Sequence, residues 1–273
     1  MATRMDNANR RLGGAMTRAR LALIMVAGLC VVGSMARADE PAALPANAPV
    51  ATVLDALKAR GDSLKDFSAT VTLSSLDGGT QLETRQTGQV LFANDPLTGE
   101  RLRVNFTTDT TGGVTTVINH QYILDGLDLL EIDFKKQRIT TSQVLKPGQK
   151  MNLMKLGEGP FPLPIGQDPK TVQEQFDVTK PAAAKDDPPG TVHLSLAPKA
   201  GTGLARKFTS IDVYVDCATD MPTRIVTLDQ SGQTLRTTAL DKLQINKGLG
   251  PNAFAIPQAA AAFEKVDGPL ATN

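Results

Sequence analysis

The chain carries two histidines, His120 and His193, and two cysteines, Cys30 and Cys217. These are the residue types most often recruited for acid–base, nucleophilic or metal chemistry. The histidines stand too far apart for an H-x-x-x-H metal pair, and Cys217, in Val215-Asp216-Cys217, has no histidine near it. No G-x-S-x-G elbow occurs for a serine nucleophile. The densest group of carboxylates is Asp125, Asp128, Glu131 and Asp133. Asp125-Gly126 reads as a hairpin turn, and Glu131 and Asp133 as the wet side of a strand whose apolar side is Leu130, Ile132 and Phe134. His193 alternates outward from Val192 and Leu194, and Cys217 reads as a packed strand end. The sequence thus nominates no catalytic residue, no metal ligand set and no cofactor motif. It predicts a binding protein rather than an enzyme.

The elements that would build a binding surface are mostly strands. Phe67, Ala69, Val71 and Leu73 alternate with Ser68, Thr70 and Thr72; Leu102, Val104 and Phe106 alternate with Arg101, Arg103 and Asn105. Val192, Leu194 and Leu196, then Ile211, Val213 and Val215, repeat the pattern. Period two with one apolar face is the signature of antiparallel sheet covered on one side. Less regular strands fit at 84–93, 114–119, 121–125, 138–144, 222–229 and 234–246, with turns at Asp77-Gly78-Gly79, Asp125-Gly126 and Ser231-Gly232. About eleven strands in one series, with no βαβ alternation, predict a mainly β (α+β) domain built on a single curved antiparallel sheet. Val50, Val53, Leu54 and Leu57 mark one face of a helix before the sheet, with Gly61 as its stop signal.

The strand pattern stops between residues 144 and 176. Residues 148–156 suit a short helix offering Met151, Met154 and Leu156. The Gly157–Gly166 stretch follows, where Pro160, Pro162 and Pro164 enforce an extended path around Phe161, Leu163 and Ile165. Asp168-Pro169 reads as the cap and first residue of another short helix, with Val172 and Phe176 inward. This insertion, 145–176, reads as a lid over one face of the sheet, and flexible Met side chains suit a surface that repacks around apolar ligands. The alternative is a cover on an ordinary filled core.

The ends of the chain give an address. Arg4, Arg10, Arg11, Arg18 and Arg20 precede an apolar run from Leu21 to Val32, and Ala36-Arg37-Ala38 supplies a small-x-small site. That order is a secretory signal, residues 1–38. The run is about twelve residues, against roughly 20 needed to span a bilayer. Leu29 before Cys30 does not suit lipidation of that cysteine. Residues 39–49, with Pro41, Pro45 and Pro49, read as a flexible leader, and 258–273 as a disordered tail. Residues 1–38 hold six of the 29 Lys/Arg and one of the 28 Asp/Glu, so the remainder carries about −4. That balance argues against nucleic acid or an anionic membrane surface as the main partner.

One helix, then LKDFSATVTL, TGQVLFAND, RLRVNF, ILDGLDLLEID, an interrupting lid, further strands and NAFAIP: in this order the chain resembles the LolA-type outer-membrane lipoprotein carriers and their relatives. The likeness runs from about Val50 to Pro257 and rests on Phe67, Gly88, Asp125-Gly126, Phe254 and Pro257. It implies a half-open barrel at 50–257 with helices at its mouth, and a monomer that ferries lipidated proteins or other lipids through the periplasm. It also implies an inner-membrane release complex and an outer-membrane acceptor as partners. The acyl chains would lie on Val90, Phe92, Leu102, Val104, Phe106, Ile132 and Phe134, under the lid residues Met151, Met154, Leu156, Phe161, Leu163 and Ile165. The family's Arg-Pro pair after the second strand is replaced by Asp95-Pro96. Two other readings remain: a module that senses lipid or lipoprotein, and an enzyme or structural domain whose core is filled.

Overall fold

The computed structural model describes residues 43–95, 99–144 and 165–269. The signal segment therefore lies outside the described residues, as do the lid positions Met151, Met154, Leu156, Phe161 and Leu163. The described residues form one compact unit.

The described residues form a single twelve-stranded open sheet with two α-helices. Helix α1, Val50–Ser63, precedes six strands: β1 (Asp66–Asp77), β2 (Glu83–Asp95), β3 (Gly99–Thr111), β4 (Val114–Asp125), β5 (Asp128–Asp133) and β6 (Arg138–Gln143). Helix α2, Pro169–Gln175, leads into β7 (Phe176–Thr179), and β8 (Thr191–Pro198), β9 (Phe208–Asp216), β10 (Pro222–Asp229) and β11 (Thr234–Ile245) follow. A final strand, β12 (Glu264–Asp267), ends the series. The spatial order is β12-β6-β5-β4-β3-β2-β1-β11-β10-β9-β8-β7. Two antiparallel meanders thus join where β1 pairs with β11, and among the described strands only β12 runs parallel to its neighbour. The expected mainly β, open-sheet architecture is what forms. Both edge strands, β7 and β12, are four residues long, which limits edge-to-edge pairing with other chains.

The alternation of the sequence assigns the faces. Phe67, Ala69 and Val71 of β1, Val90 and Phe92 of β2, and Leu102, Val104 and Phe106 of β3 share one buried cluster with Leu194, Leu196, Ile211 and Val213 from the other meander. Strands from both halves reach the same cluster, so the sheet curves around it. Helix α1 inserts Val53, Leu54 and Leu57 into this inner face. Gly61 does not stop the helix, which continues to Ser63. It lies where the backbone of Gly166 crosses the helix, leaving no room for a Cβ, and the Gly166 amide donates to the Leu57 carbonyl at 3.1 Å. Asp168 caps α2 as expected, accepting from the Lys170 and Thr171 amides, and Val172 and Phe176 are buried.

Two terminal segments differ from expectation. Residues 43–49 dock rather than forming a flexible leader: Leu44 and Ala48 are buried, and the Leu44 amide donates to the Cys217 carbonyl at 2.7 Å. Beyond β11 the chain crosses the outer face as a strap, burying Phe254 and Ala260, before β12 pairs with β6. The Ala-rich stretch that suggests disorder contains a fully buried alanine, because small side chains let the strap lie close to the sheet.

Candidate functional site

On the inner face the side chains change character along the strands. Near α1 the positions are aliphatic or aromatic. Toward the hairpin tips the inward positions become Leu73 and Ser75 in β1, Gln86 and Thr84 in β2, and, past a register shift between Phe106 and Thr108, Asp109 and Thr111 in β3. Strand pairing keeps these in register: Leu73 faces Gln86 and Thr238, Gln86 faces Asp109, and Ser75 faces Thr84 and Arg236. In the second meander Ile225 faces Thr238 and Thr227 faces Arg236. The helix does not reach this end. What remains is a cleft of about 610 Å³ whose walls come from β1, β2, β3, β9, β10 and β11. Ligand pockets commonly fall at roughly 300–1,000 Å³.

The cleft has an apolar floor and a polar wall on each side. Leu73, Ile225 and Phe208 supply the apolar surface. On one wall Asp109 is held by two donors, Gln86 Nε2 at 2.8 Å and the Thr111 hydroxyl at 3.1 Å. The facing wall carries two cations, Arg236 of β11 and Lys207 just before β9. Close packing at Gly88 shapes the site: a bulge between Thr87 and Gly88 brings β3 so near that a Cβ there would strike the Asn105 carbonyl. Glycine at position 88 is therefore a backbone requirement of this bend.

Five of the seven expected acyl-contacting residues, Val90, Phe92, Leu102, Val104 and Phe106, lie on the inner face but are packed shut beneath α1. Phe67 and Phe92 stack there at 5.4 Å. Ile132 and Phe134 belong to the opposite face, with Ile123, Ile139 and the strap residues Phe254 and Ala260. The reason is register: Ile132 pairs with Gln121, whereas Glu131 pairs with Tyr122, whose ring packs on the inner cluster. Of the six lid positions, Ile165 is described and fully buried in the inner cluster. The cleft residues Leu73, Gln86, Asp109, Ile225 and Arg236 were not nominated from sequence. Their signal is the change from apolar to polar at inward positions toward the hairpin ends.

Among the described residues, His120, His193 and Cys217 make structural contacts. Glu131 and Asp133 stand on the inner side of the sheet, where the Glu131 side chain keeps 42% of its surface exposed and its Oε1 meets His120 Nε2 at 2.8 Å beside the stacked Tyr122 ring. Burial, and then Glu131 and Asp133, push the Tyr122 phenol up, so it stays protonated. His193 is half-buried on the outer face, meeting Asp212 at 2.9 Å and stacking on Tyr214. Burial, then Asp216 and Asp220, push the Cys217 thiol up, away from the nucleophilic thiolate. Among the described residues no group of three or more His, Cys, Asp or Glu could hold a metal ion. Among the same residues no helix is long and apolar enough to cross a membrane.

No family model matches the chain, and no curated protein matches it in sequence. Its fold is similar to that of an uncharacterized conserved protein from Thermus thermophilus, at 14% identity and a TM-score of 0.47, covering 80% of this chain and 98% of that one. MucB of Pseudomonas aeruginosa, solved in complex with MucA, is similar at 13% identity and a TM-score of 0.46, over 76% of this chain and 62% of that one. A LolA superfamily protein from Nitrosomonas europaea is similar at 11% identity and a TM-score of 0.38, over 77% of this chain and 98% of that one. The structural neighbours include LolA superfamily proteins. These likenesses concern the fold.

Proposed function

We propose that this protein is an exported carrier that shelters the acyl chain of a lipid or lipidated protein within its half-open sheet, in transit through the periplasm toward the outer membrane. The observation that carries the reading is the open cleft at the hairpin end of the inner face, with Leu73, Ile225 and Phe208 on its floor. An acyl chain left in water costs roughly 0.8 kcal/mol per CH₂, so a cargo in transit needs apolar cover. The filled cluster beneath α1 serves as the rigid base of the cleft rather than as the binding surface. The signal segment and the sequence resemblance to lipoprotein carriers support the address and the job. The membrane-bound release and acceptor partners of such carriers are part of the same proposal.

The test begins with protein purified from its native host. Solvent extraction and mass spectrometry are expected to yield an acyl-bearing molecule near one per chain. Thr238→Trp, which places an indole in the cleft between Leu73 and Ile225, is expected to lose it while keeping its β circular dichroism. An empty wild-type protein, or equal lipid in a folded variant, overturns the proposal. Depletion in the host then separates transport from sensing: a carrier's loss leaves its lipid cargo in the inner membrane, whereas unchanged sorting rejects the carrier role.

A further inference from the structure

We propose that the outer face carries a docking site for an extended peptide of a partner protein, seated between the C-terminal strap and strands β2 and β3. The site lies on the face away from the cleft and stands whether or not the cleft holds lipid. A pocket of about 220 Å³ opens there, lined by Gln89, Leu91, Arg103, Asn105 and Ala253. Asn105 Oδ1 is buried and has no hydrogen-bond partner among the described residues. A buried acceptor without a partner costs stability, so it marks a place where a donor belongs. Register sets a second carboxamide beside it: Gln89 pairs with Asn105, and Asn105 in turn with Gln121. Gln121 is engaged, its Oε1 accepting from Arg103 Nη2 at 2.7 Å and its Nε2 donating to Asn119 Oδ1 at 2.9 Å. Gln89, by contrast, is exposed.

The chemistry of the pocket narrows its occupant. An orphaned acceptor disfavours an anion, and the Arg103 guanidinium beside it disfavours a cation. A neutral N–H fits, and a main-chain amide adds a C=O to which the Gln89 carboxamide can donate. This face already holds chain in that way: Arg103 Nη1 donates to the Ala253 and Ala255 carbonyls of the strap at 3.0 and 3.4 Å. Leu91, packed on the outer apolar cluster, offers a contact for one apolar side chain. The volume lies below the roughly 300–1,000 Å³ of small-molecule pockets, so the occupant seats only part of itself, as a peptide lying across a surface does.

The test uses the isotope-labelled mature protein and nuclear magnetic resonance, which sees side-chain carboxamides directly. The probes are acetyl-alanyl-leucyl-alanine methylamide, the same peptide with its amide nitrogens methylated, and N-acetylglucosamine. The unmethylated peptide, at millimolar concentration, is expected to shift the Asn105 and Gln89 carboxamide signals saturably. The methylated peptide is expected to bind about tenfold more weakly, the cost of leaving one buried acceptor unpaired. Asn105→Leu is expected to abolish the shift at Gln89 while keeping a urea midpoint at or above wild type, because it removes an acceptor that has no partner among the described residues. Gln89→Ala, at an exposed position, leaves the fold intact and is expected to weaken binding in part. Equal binding of the two peptides, or wild-type binding in both variants, overturns the proposal. So does N-acetylglucosamine shifting these signals where the peptide does not, which points to a sugar. No shift with any probe also overturns it and leaves the pocket to solvent.

Discussion

Arg103 Nη1 donates to the Ala253 carbonyl at 3.0 Å, across the outer face of the sheet. The same guanidinium reaches Gln121 Oε1 at 2.7 Å through Nη2, and burial lowers its pKa below the usual arginine value. Two residues earlier, the Arg101 guanidinium lies 4.7 Å from the centre of the Phe254 ring. Both arginines point away from the cleft, as their alternation with Leu102 and Val104 requires. They bind the C-terminal strap to the outer face. Arg103→Ala is expected to destabilise the fold by about 1.5–3 kcal/mol, the range for hydrogen bonds to charged groups. Amide hydrogen exchange is expected to rise first in residues 249–257. Exchange rising instead around Ile165 would assign Arg103 to the other face.

Much of the fold is legible because the inner face obeys period two without a break in Phe67–Val71, Leu102–Phe106 and Val192–Leu196. Each of those runs is long enough to fix both strand and face. The faces of β5 are less legible. Leu130, Ile132 and Phe134 alternate as cleanly as the others, yet they face the strap, because here the sheet is covered on both sides. A one-sided pattern cannot say which side. Strands β7 and β12 have four residues each, too few for periodicity, and β12 exists only through a long-range parallel pairing with β6. The cleft escaped for a different reason. Its walls are polar residues at inward positions, such as Gln86 and Asp109, which singly read as surface.

Helix α1 and the segment entering α2 meet at Gly61 and Gly166, with no space for a side chain on Gly61. Gly61→Ala forces backbone apart from backbone, since neither partner is a flexible side chain. It is expected to cost about 1–3 kcal/mol, as overpacking does, despite alanine's better helix propensity. A chemical-denaturation midpoint at or above wild type would show that the two segments can part freely.

The β10–β11 turn is organised by one carboxylate. Asp229 accepts from the Thr234 amide at 3.1 Å, the Ser231 hydroxyl at 2.8 Å and the Gln233 amide at 3.0 Å. Its pKa falls from 3.8 to about 2, led by the Thr234 amide and then the Ser231 hydroxyl. A depressed folded value means that the unfolded chain binds the proton first. Stability from Asp229 is therefore complete above the unfolded value near 3.8 and is lost as pH falls through about 2. Urea midpoints of wild type and Asp229→Asn, measured through that window, are expected to converge at the acid end. A constant gap between them would mean the carboxylate's charge contributes nothing to the turn.

The strap's last segment carries a prediction opposite to that of a disordered tail. Phe263 meets the Phe134 ring edge-on at 5.1 Å, Ala260 is fully buried, and Glu264–Asp267 pair with Arg138–Thr141 of β6. Truncation after Pro257 removes these contacts and leaves Ile132 and Ile139 partly uncovered, beside a newly open β6 edge. Exposed apolar strand edges template association with other chains. The truncated protein is expected to bind a hydrophobic dye and to form oligomers detectable by light scattering, while the strap up to Phe254 stays on Arg101 and Arg103. Phe263→Ala keeps β12 and isolates the packing. It is expected to cost about 1–2 kcal/mol, below the roughly 3–5 kcal/mol of a fully buried phenylalanine, because Phe263 is only half-buried. A truncated chain that stays monomeric and as stable as wild type would show that residues 258–269 rest on the sheet without holding it.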